Sequence, residues 1–148
     1  MYKHILVATD GSKLSLKAAK TAAKLAHAVG ARLTALYVMP QYMPPIYGEA
    51  SLYVTQVSPQ SFKDAMEKDA KGALAAVAKE AAAARVKHTG VRATNAQPWS
   101  AIVSAARLKK CDLIVMASHG RRGLSGVLLG SEATKVLTHS KTPVLVCR

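Results

Sequence analysis

Short apolar runs alternate along this chain with longer stretches in which apolar residues return every three or four positions. The short runs predict buried strands, and the 3.6-residue period predicts amphipathic helices. The first run, His4-Ile5-Leu6-Val7-Ala8-Thr9, is closed by Asp10-Gly11-Ser12. Ser12 is placed to cap a helix over Lys13 to Val29, with Gly30 as its stop. Arg32 to Val38 reads as a second strand. A helix rich in alanine and charge is expected from Ser61 to about His88, ended by Gly90. Val91 to Asn95 is a weaker third strand. Pro98 suits the first turn of a third helix running to about Lys109. Leu113 to Met116 reads as a fourth strand, Ser131 to His139 as the last helix, and Pro143 to Cys147 as the fifth strand. Between them, about Met39 to Gln60 shows no period and is too long for an ordinary connection. It holds Tyr42, Tyr47 and Tyr53 among four prolines, and reads as a lid, a partner surface or a mobile excursion.

Strands alternating with helices predict βαβ units, right-handed crossovers and a parallel sheet, hence an α/β fold. Ligands of open sheets bind beyond the carboxyl ends of the strands, where the strand order switches direction. The loops after the first and fourth strands carry the chemistry that fits such a place. If those strands are neighbours, Asp10 faces the same crevice as Gly120 and Gly130.

The loop after the fourth strand, Ser118-His119-Gly120-Arg121-Arg122-Gly123-Leu124-Ser125-Gly126-Val127-Leu128-Leu129-Gly130, leads into a helix beginning at Ser131. Strand, glycine-rich loop and helix N-terminus in that order make an anion site, because glycine admits close backbone approach and the first amides of the helix are free. A solvent loop that needs glycine only for its turns fits the same local pattern.

The length suits a single domain over residues 1–148, and half the residues are apolar, enough for a core. The first apolar run is too short for a signal peptide, and none approaches the ~20 residues that span a bilayer, so a cytoplasmic protein without membrane association is expected. Cys111 and Cys147 show neither metal spacing nor a disulfide framework and read as buried reduced thiols. The formal charge of +13 favours anionic partners. Part of it is a stripe, Lys13, Lys17, Lys20 and Lys24, which reads as a solvated face before a nucleic-acid surface. With Phe62 the only Phe and Trp99 the only Trp, single-strand stacking platforms are not indicated.

Other chemistries lack their signatures. There is no Gly-Lys-Ser/Thr phosphate loop and no dinucleotide fingerprint. Gly123-Leu124-Ser125-Gly126 fails as a nucleophile elbow, which would need glycine at Val127. The five histidines have no tight ligand spacing. A hydrolase built on Ser118 or Ser131 with His119 and Asp10 is a remote alternative.

Taken together, Ile5-Leu6-Val7-Ala8-Thr9-Asp10-Gly11-Ser12, Leu36-Tyr37-Val38, Asp112 to Gly120, Leu128-Leu129-Gly130-Ser131 and Pro143-Val144-Leu145-Val146 resemble the universal stress protein family over the whole chain. The resemblance implies an adenine nucleotide alpha hydrolase-like fold, with an open five-stranded sheet in the order 3-2-1-4-5 and helices on both faces. The ATP-binding branch of that family carries Gly, two residues, Gly, nine residues, then Gly-Ser or Gly-Thr. Here Gly120, Gly130 and Ser131 match, and Ala117 replaces the first glycine.

By resemblance, Ala8, Thr9 and Val38 would form the base pocket, with Val38 offering backbone groups. Met116, Ala117, Gly120 and Arg121 would surround the ribose and phosphates. Gly130, Ser131, Glu132 and Ala133 would present amides to the phosphates, with the Glu132 carboxylate pointing away. Asp10 would lie near a phosphate-bound Mg²⁺ (or Mn²⁺). The implied function is a stress-response regulator that binds ATP or a related adenine nucleotide and hydrolyses it slowly or hardly at all, since no residue is an obvious general base. A protein-interaction module with an empty site and a nucleic-acid-associated basic protein are the other readings. A homodimer through the apolar last strand, and a further protein partner of unknown kind, are expected.

Overall fold

A computed structural model of the chain describes residues 1–44, 57–121, 123 and 128–148. The elements are β1 (His4–Ala8), α1 (Lys13–Val29), β2 (Arg32–Met39), α2 (Pro59–Ala83), β3 (His88–Thr94), α3 (Pro98–Leu108), β4 (Leu113–Ala117), α4 (Ser131–His139) and β5 (Val144–Cys147). The five strands are all parallel and lie in the order β3-β2-β1-β4-β5, as expected.

Strand alternation divides the core in two. Ile5, Val7, Leu33, Ala35, Leu113, Val115 and Ala117 face one side, where the small residues Ala18, Ala19, Ala22 and Ala26 let α1 approach closely and Val77 and Ala81 bring in α2. Leu6, Leu36, Ile114 and Met116 face the other side, against Ile102 and Ala106 of α3 and Ala133 and Val136 of α4. The central strands are apolar on both faces, as a sheet covered by helices on both sides demands.

Helix α1 ends as its sequence predicts. The Ser12 side chain accepts from Ser15 N–H, and Gly30 takes the left-handed conformation at φ 69°. Helix α2 does not. It stops at Ala83 rather than near His88, and its left-handed terminal residue is Arg85, φ 57°, with Val86 N–H bonding back to the Ala81 carbonyl. Gly90 is no stop; it pairs with Ala35 inside β3, which opens at His88, three residues before its expected start. Buried Val86 is what turns the chain back onto the sheet.

Of the 39–60 segment, Met39 extends β2, and Ser58 and Pro59 begin α2, Ser58 as a side-chain cap. The Tyr42 ring meets Phe62 edge-on at 5.4 Å. Tyr47 and Tyr53 lie outside the described residues, so the reading of that segment as a lid or partner surface does too. Both cysteines are free; Cys111 is buried, with its thiol pushed up to about 11 by burial, while Cys147 is only half-buried.

Candidate functional site at the switch in strand order

The chain leaves β1 toward β2 and β3, then returns to place β4 on the other side of β1. The connection after β1 leads to α1 on one face, and that after β4 leads to α4 on the opposite face. At such a switch in strand order the two loops diverge, and the carboxyl ends of β1 and β4 are where a binding crevice is expected.

Asp10 ties the two loops together. Its Oδ1 accepts from Ser12 N–H at 3.0 Å, and its Oδ2 accepts from Arg121 N–H at 2.7 Å, 111 residues away. Burial opposes the charge, but hydrogen bonds from Ser12, Ser15 and the Arg121 amide outweigh it, and the carboxyl lies below its ordinary value. Gly120 is required by this approach: a Cβ there would stand 3.0 Å from Asp10 Oδ2. Thr9 is buried, and its hydroxyl pairs with Ser15 Oγ at 3.1 Å and accepts from Gly11 N–H, so it organises the entrance to α1.

The Arg121 guanidinium turns away to α2, where Nη1 meets Asp69 Oδ2 at 3.0 Å, and Nη2 lies over Gly11. Burial raises the Tyr37 hydroxyl's pKa beside these charges. Asp69 and Tyr37 thus join the crevice; the sequence singles out Tyr37 only within Leu36-Tyr37-Val38, and Asp69 not at all. Asp69 reaches it from an irregularly polar helix, and Tyr37 sits within an apolar strand.

Gly130 closes the other side. Its N–H donates to the Ser118 carbonyl at 2.7 Å. Its dihedrals, φ −72° and ψ 161°, suit any residue, but a Cβ would come within 3.0 Å of that same carbonyl oxygen. Space, not conformation, calls for glycine. Ser118 itself is 1% exposed, with its hydroxyl 2.8 Å from His119 Nδ1, so a nucleophile there would be sealed from any ligand.

Helix α4 begins at Ser131 with no side-chain cap. By contrast, α1 and α2 are capped by Ser12 and Ser58, and α3 has its Trp99 N–H taken by Glu132 Oε2 at 2.8 Å. The first amides of a helix lack partners within it, so α4 presents N–H groups that no capping side chain occupies. Glu132, as expected, points away: its other oxygen lies 3.6 Å from Lys135 Nζ.

The expected site residues fall into three groups. Ala8, Val38, Met116 and Ala133 pack on the face that α3 and α4 cover. Thr9, Asp10, Gly120, Arg121, Gly130 and Ser131 belong to the loops and helix start above it. Ala117 ends β4 with its side chain on the opposite face, in the core beneath α1. Among the described non-glycine residues only Arg85 and Lys110 have positive φ, so Ala117 needs no glycine-like backbone. Among the described residues, no group of three or more His, Cys, Asp or Glu side chains is placed to hold a metal ion.

This arrangement is the adenine nucleotide alpha hydrolase-like fold. The universal stress protein family model matches residues 1–148. A universal stress protein of Methanocaldococcus jannaschii is 36% identical, covering all of this chain and 83% of its own length. The universal stress protein UspA of Lactobacillus plantarum superposes with a TM-score of 0.80 at 24% identity, over 99% of this chain and 98% of its own. A universal stress protein solved in complex with cAMP is 29% identical, with a TM-score of 0.72 over 99% of this chain and 97% of its own. The chain belongs to the universal stress protein family.

Proposed function

We propose that this protein is a stress-response regulator that binds an adenine nucleotide, ATP or a relative of it, in the crevice between the β1 and β4 loops. The observation that carries the reading is the uncapped N-terminus of α4, opening beside the loops that Asp10 joins. Its amides and the positive end of the helix suit a phosphate. Ala8, Val38 and Met116 supply an apolar floor for the base. Val38 lies near the end of β2 beyond the last β1 partner, Leu36, which leaves its backbone on the β1 side open to a ring edge. The relative solved with cAMP supports an adenine ligand in this fold.

Asp10 offers a single carboxylate whose oxygens already accept backbone N–H bonds. That donor set does not make a metal cage. It fits a Mg²⁺ or Mn²⁺ ion brought in by phosphates and keeping most of its waters, with Asp10 bonded through one of them. Such an ion would neutralise phosphate charge. The chain's own groups bind and orient, and in this reading hydrolysis is slow or absent.

Ser131→Pro tests the reading. Proline is tolerated at the first position of a helix, and Gly130 already has the extended dihedrals a residue before proline prefers. The substitution removes one phosphate-facing N–H and the hydroxyl without breaking α4; Ser131→Ala removes the hydroxyl alone. Calorimetric titration with ATP, AMP and cAMP, with and without Mg²⁺, should give saturable binding to wild type and at least tenfold weaker binding to Ser131→Pro. Absence of binding into the millimolar range would leave an interaction module with an empty site.

A further inference from the structure

At the end of the sheet opposite the crevice, every strand is preceded or opened by a cation: Lys3 at β1, Arg32 at β2, Lys87 at β3, Lys110 at β4 and Lys141 at β5. All five are exposed, and among the described residues none is ion-paired. Arg85 and Lys109 add to them. The carboxylate at this edge, Asp112, accepts the backbone N–H groups of Lys3 and His4. Helices α1, α2, α3 and α4 also end here, each with a partial negative charge of roughly one half. The positive excess survives both subtractions.

Two features separate this edge from an ordinary solvated surface. The first is local backbone. Helices α1, α2 and α3 all end with a residue whose following N–H bonds back five positions: Ala31 to Ala26, Val86 to Ala81 and Cys111 to Ala106. The turn needs a left-handed residue, and α1 supplies Gly30. At the same place α2 and α3 put Arg85, φ 57°, and Lys110, φ 54°, where a side chain is strained. A cation near a helix C-terminus offsets part of that strain, but this does not account for Lys3, Arg32, Lys87 or Lys141. The second feature is Leu108. It is 75% exposed and stands between Arg107 and Lys109.

The cations spread in two dimensions. Arg85 and Lys87 lead from α2 on one face into β3, Lys109 and Lys110 lead from α3 on the other face into β4, and β3 and β4 stand three strand spacings of ~4.8 Å apart. A shallow groove of about 330 Å³ lies between the α1–β2 and α2–β3 turns, lined by His27, Arg32, Arg85 and Lys87 over Ala31 and Val86. A broad cationic plane carrying an exposed leucine matches a flat anionic surface with an apolar interior better than it matches a nucleic-acid backbone, which has no use for Leu108. We propose that the amino edge of the sheet docks this protein on anionic lipid bilayers, with Leu108 inserted among the headgroups. The nucleotide crevice at the opposite end stays open to solvent in this pose.

Vesicle flotation with the full chain tests it. Vesicles of phosphatidylcholine with about a third phosphatidylserine should carry the protein at low salt, pure phosphatidylcholine should not, and binding should fall steeply as salt rises. Arg85→Gly with Lys110→Gly removes two charges while relieving two left-handed side chains, so the fold should hold or gain stability. Each lost charge should weaken binding roughly fivefold, about 25-fold for the pair. Leu108→Gln should weaken vesicle binding and leave retention on duplex DNA unchanged. Lys68→Gln with Lys71→Gln, exposed on α2, removes the same charge elsewhere and should have a much smaller effect. The proposal is overturned if that control weakens binding as much as the edge pair, if phosphatidylcholine alone binds equally, or if Leu108→Gln leaves vesicle binding intact. Tighter binding to duplex DNA or to polyglutamate than to anionic vesicles would assign the edge to those partners instead.

Discussion

At Asp10 one carboxylate decides the geometry of the crevice. Both of its oxygens accept backbone N–H groups, from Ser12 in the loop after β1 and from Arg121 in the loop after β4. Asparagine has one acceptor oxygen, so Asp10→Asn must leave one of those N–H groups facing an NH₂. A charge-assisted bond lost in a half-buried place costs about 1–3 kcal/mol. The effect should depend on pH with a definite sign. The Asp10 carboxyl lies below its ordinary value in the folded state, so its contribution is complete above the unfolded pKa, near about 4. It is lost as pH falls through the lower, folded value. Urea unfolding should therefore show a constant deficit for Asp10→Asn from neutral pH down to about pH 5, narrowing in stronger acid. Equal stability at neutral pH, or a deficit that persists undiminished at pH 3, would show that the carboxylate does not hold the loops.

At the scale of elements, Arg121 and Asp69 join the β4–α4 loop to α2 across the crevice. Their side chains are 50% and 39% exposed, and such a pair is worth about 0.2–1 kcal/mol. A phosphate is a stronger partner for a guanidinium than an exposed carboxylate. Asp69→Asn should thus change stability by less than about 1 kcal/mol yet raise nucleotide affinity severalfold at low ionic strength, the gain fading with added salt. A fall in affinity would mean that Asp69 orients Arg121 toward the ligand instead of competing for it. This pairing was invisible in the sequence because the 3.6-residue period of α2 gives its buried stripe but not which polar residue meets a distant loop. The same limit explains the end of α2. The alanine run through Ala84 carries no glycine stop, and Arg85 in a left-handed turn looks like any helical arginine. Where a boundary is chemically explicit, as with Ser12 and Gly30, the predicted and observed bounds coincide. Ala117 was legible as a departure from the glycine pattern but not as a position whose backbone does without glycine. Its placement beneath α1 follows from strand alternation once β4 is known to extend through it.

On the scale of the whole molecule, the strand order leaves β3 and β5 as edges, and they differ. Most β3 positions are polar or exposed, whereas β5 reads Val144-Leu145-Val146-Cys147. Leu145 is 37% exposed and Leu137 of the adjoining α4 is 42% exposed. An apolar edge with unpaired backbone groups invites a second strand, and a two-fold axis would set β5 against its own copy, antiparallel. The direction of the β5 backbone identifies the residues that would make the pairing. The Ile114 and Ser118 N–H groups donate to the carbonyls of Pro143 and Cys147, so alternate residues of β5 face β4. Leu145 belongs to that inward set, and the outward groups are those of Val144 and Val146. Val146→Pro therefore removes an edge N–H while sparing the bonds to β4, as proline on an edge strand permits. Light scattering should find wild type dimeric at micromolar concentration and Val146→Pro monomeric, with the helical circular dichroism of the two alike. A monomeric wild type rules this dimer out, and a Val146→Pro protein that stays dimeric places the interface on another surface.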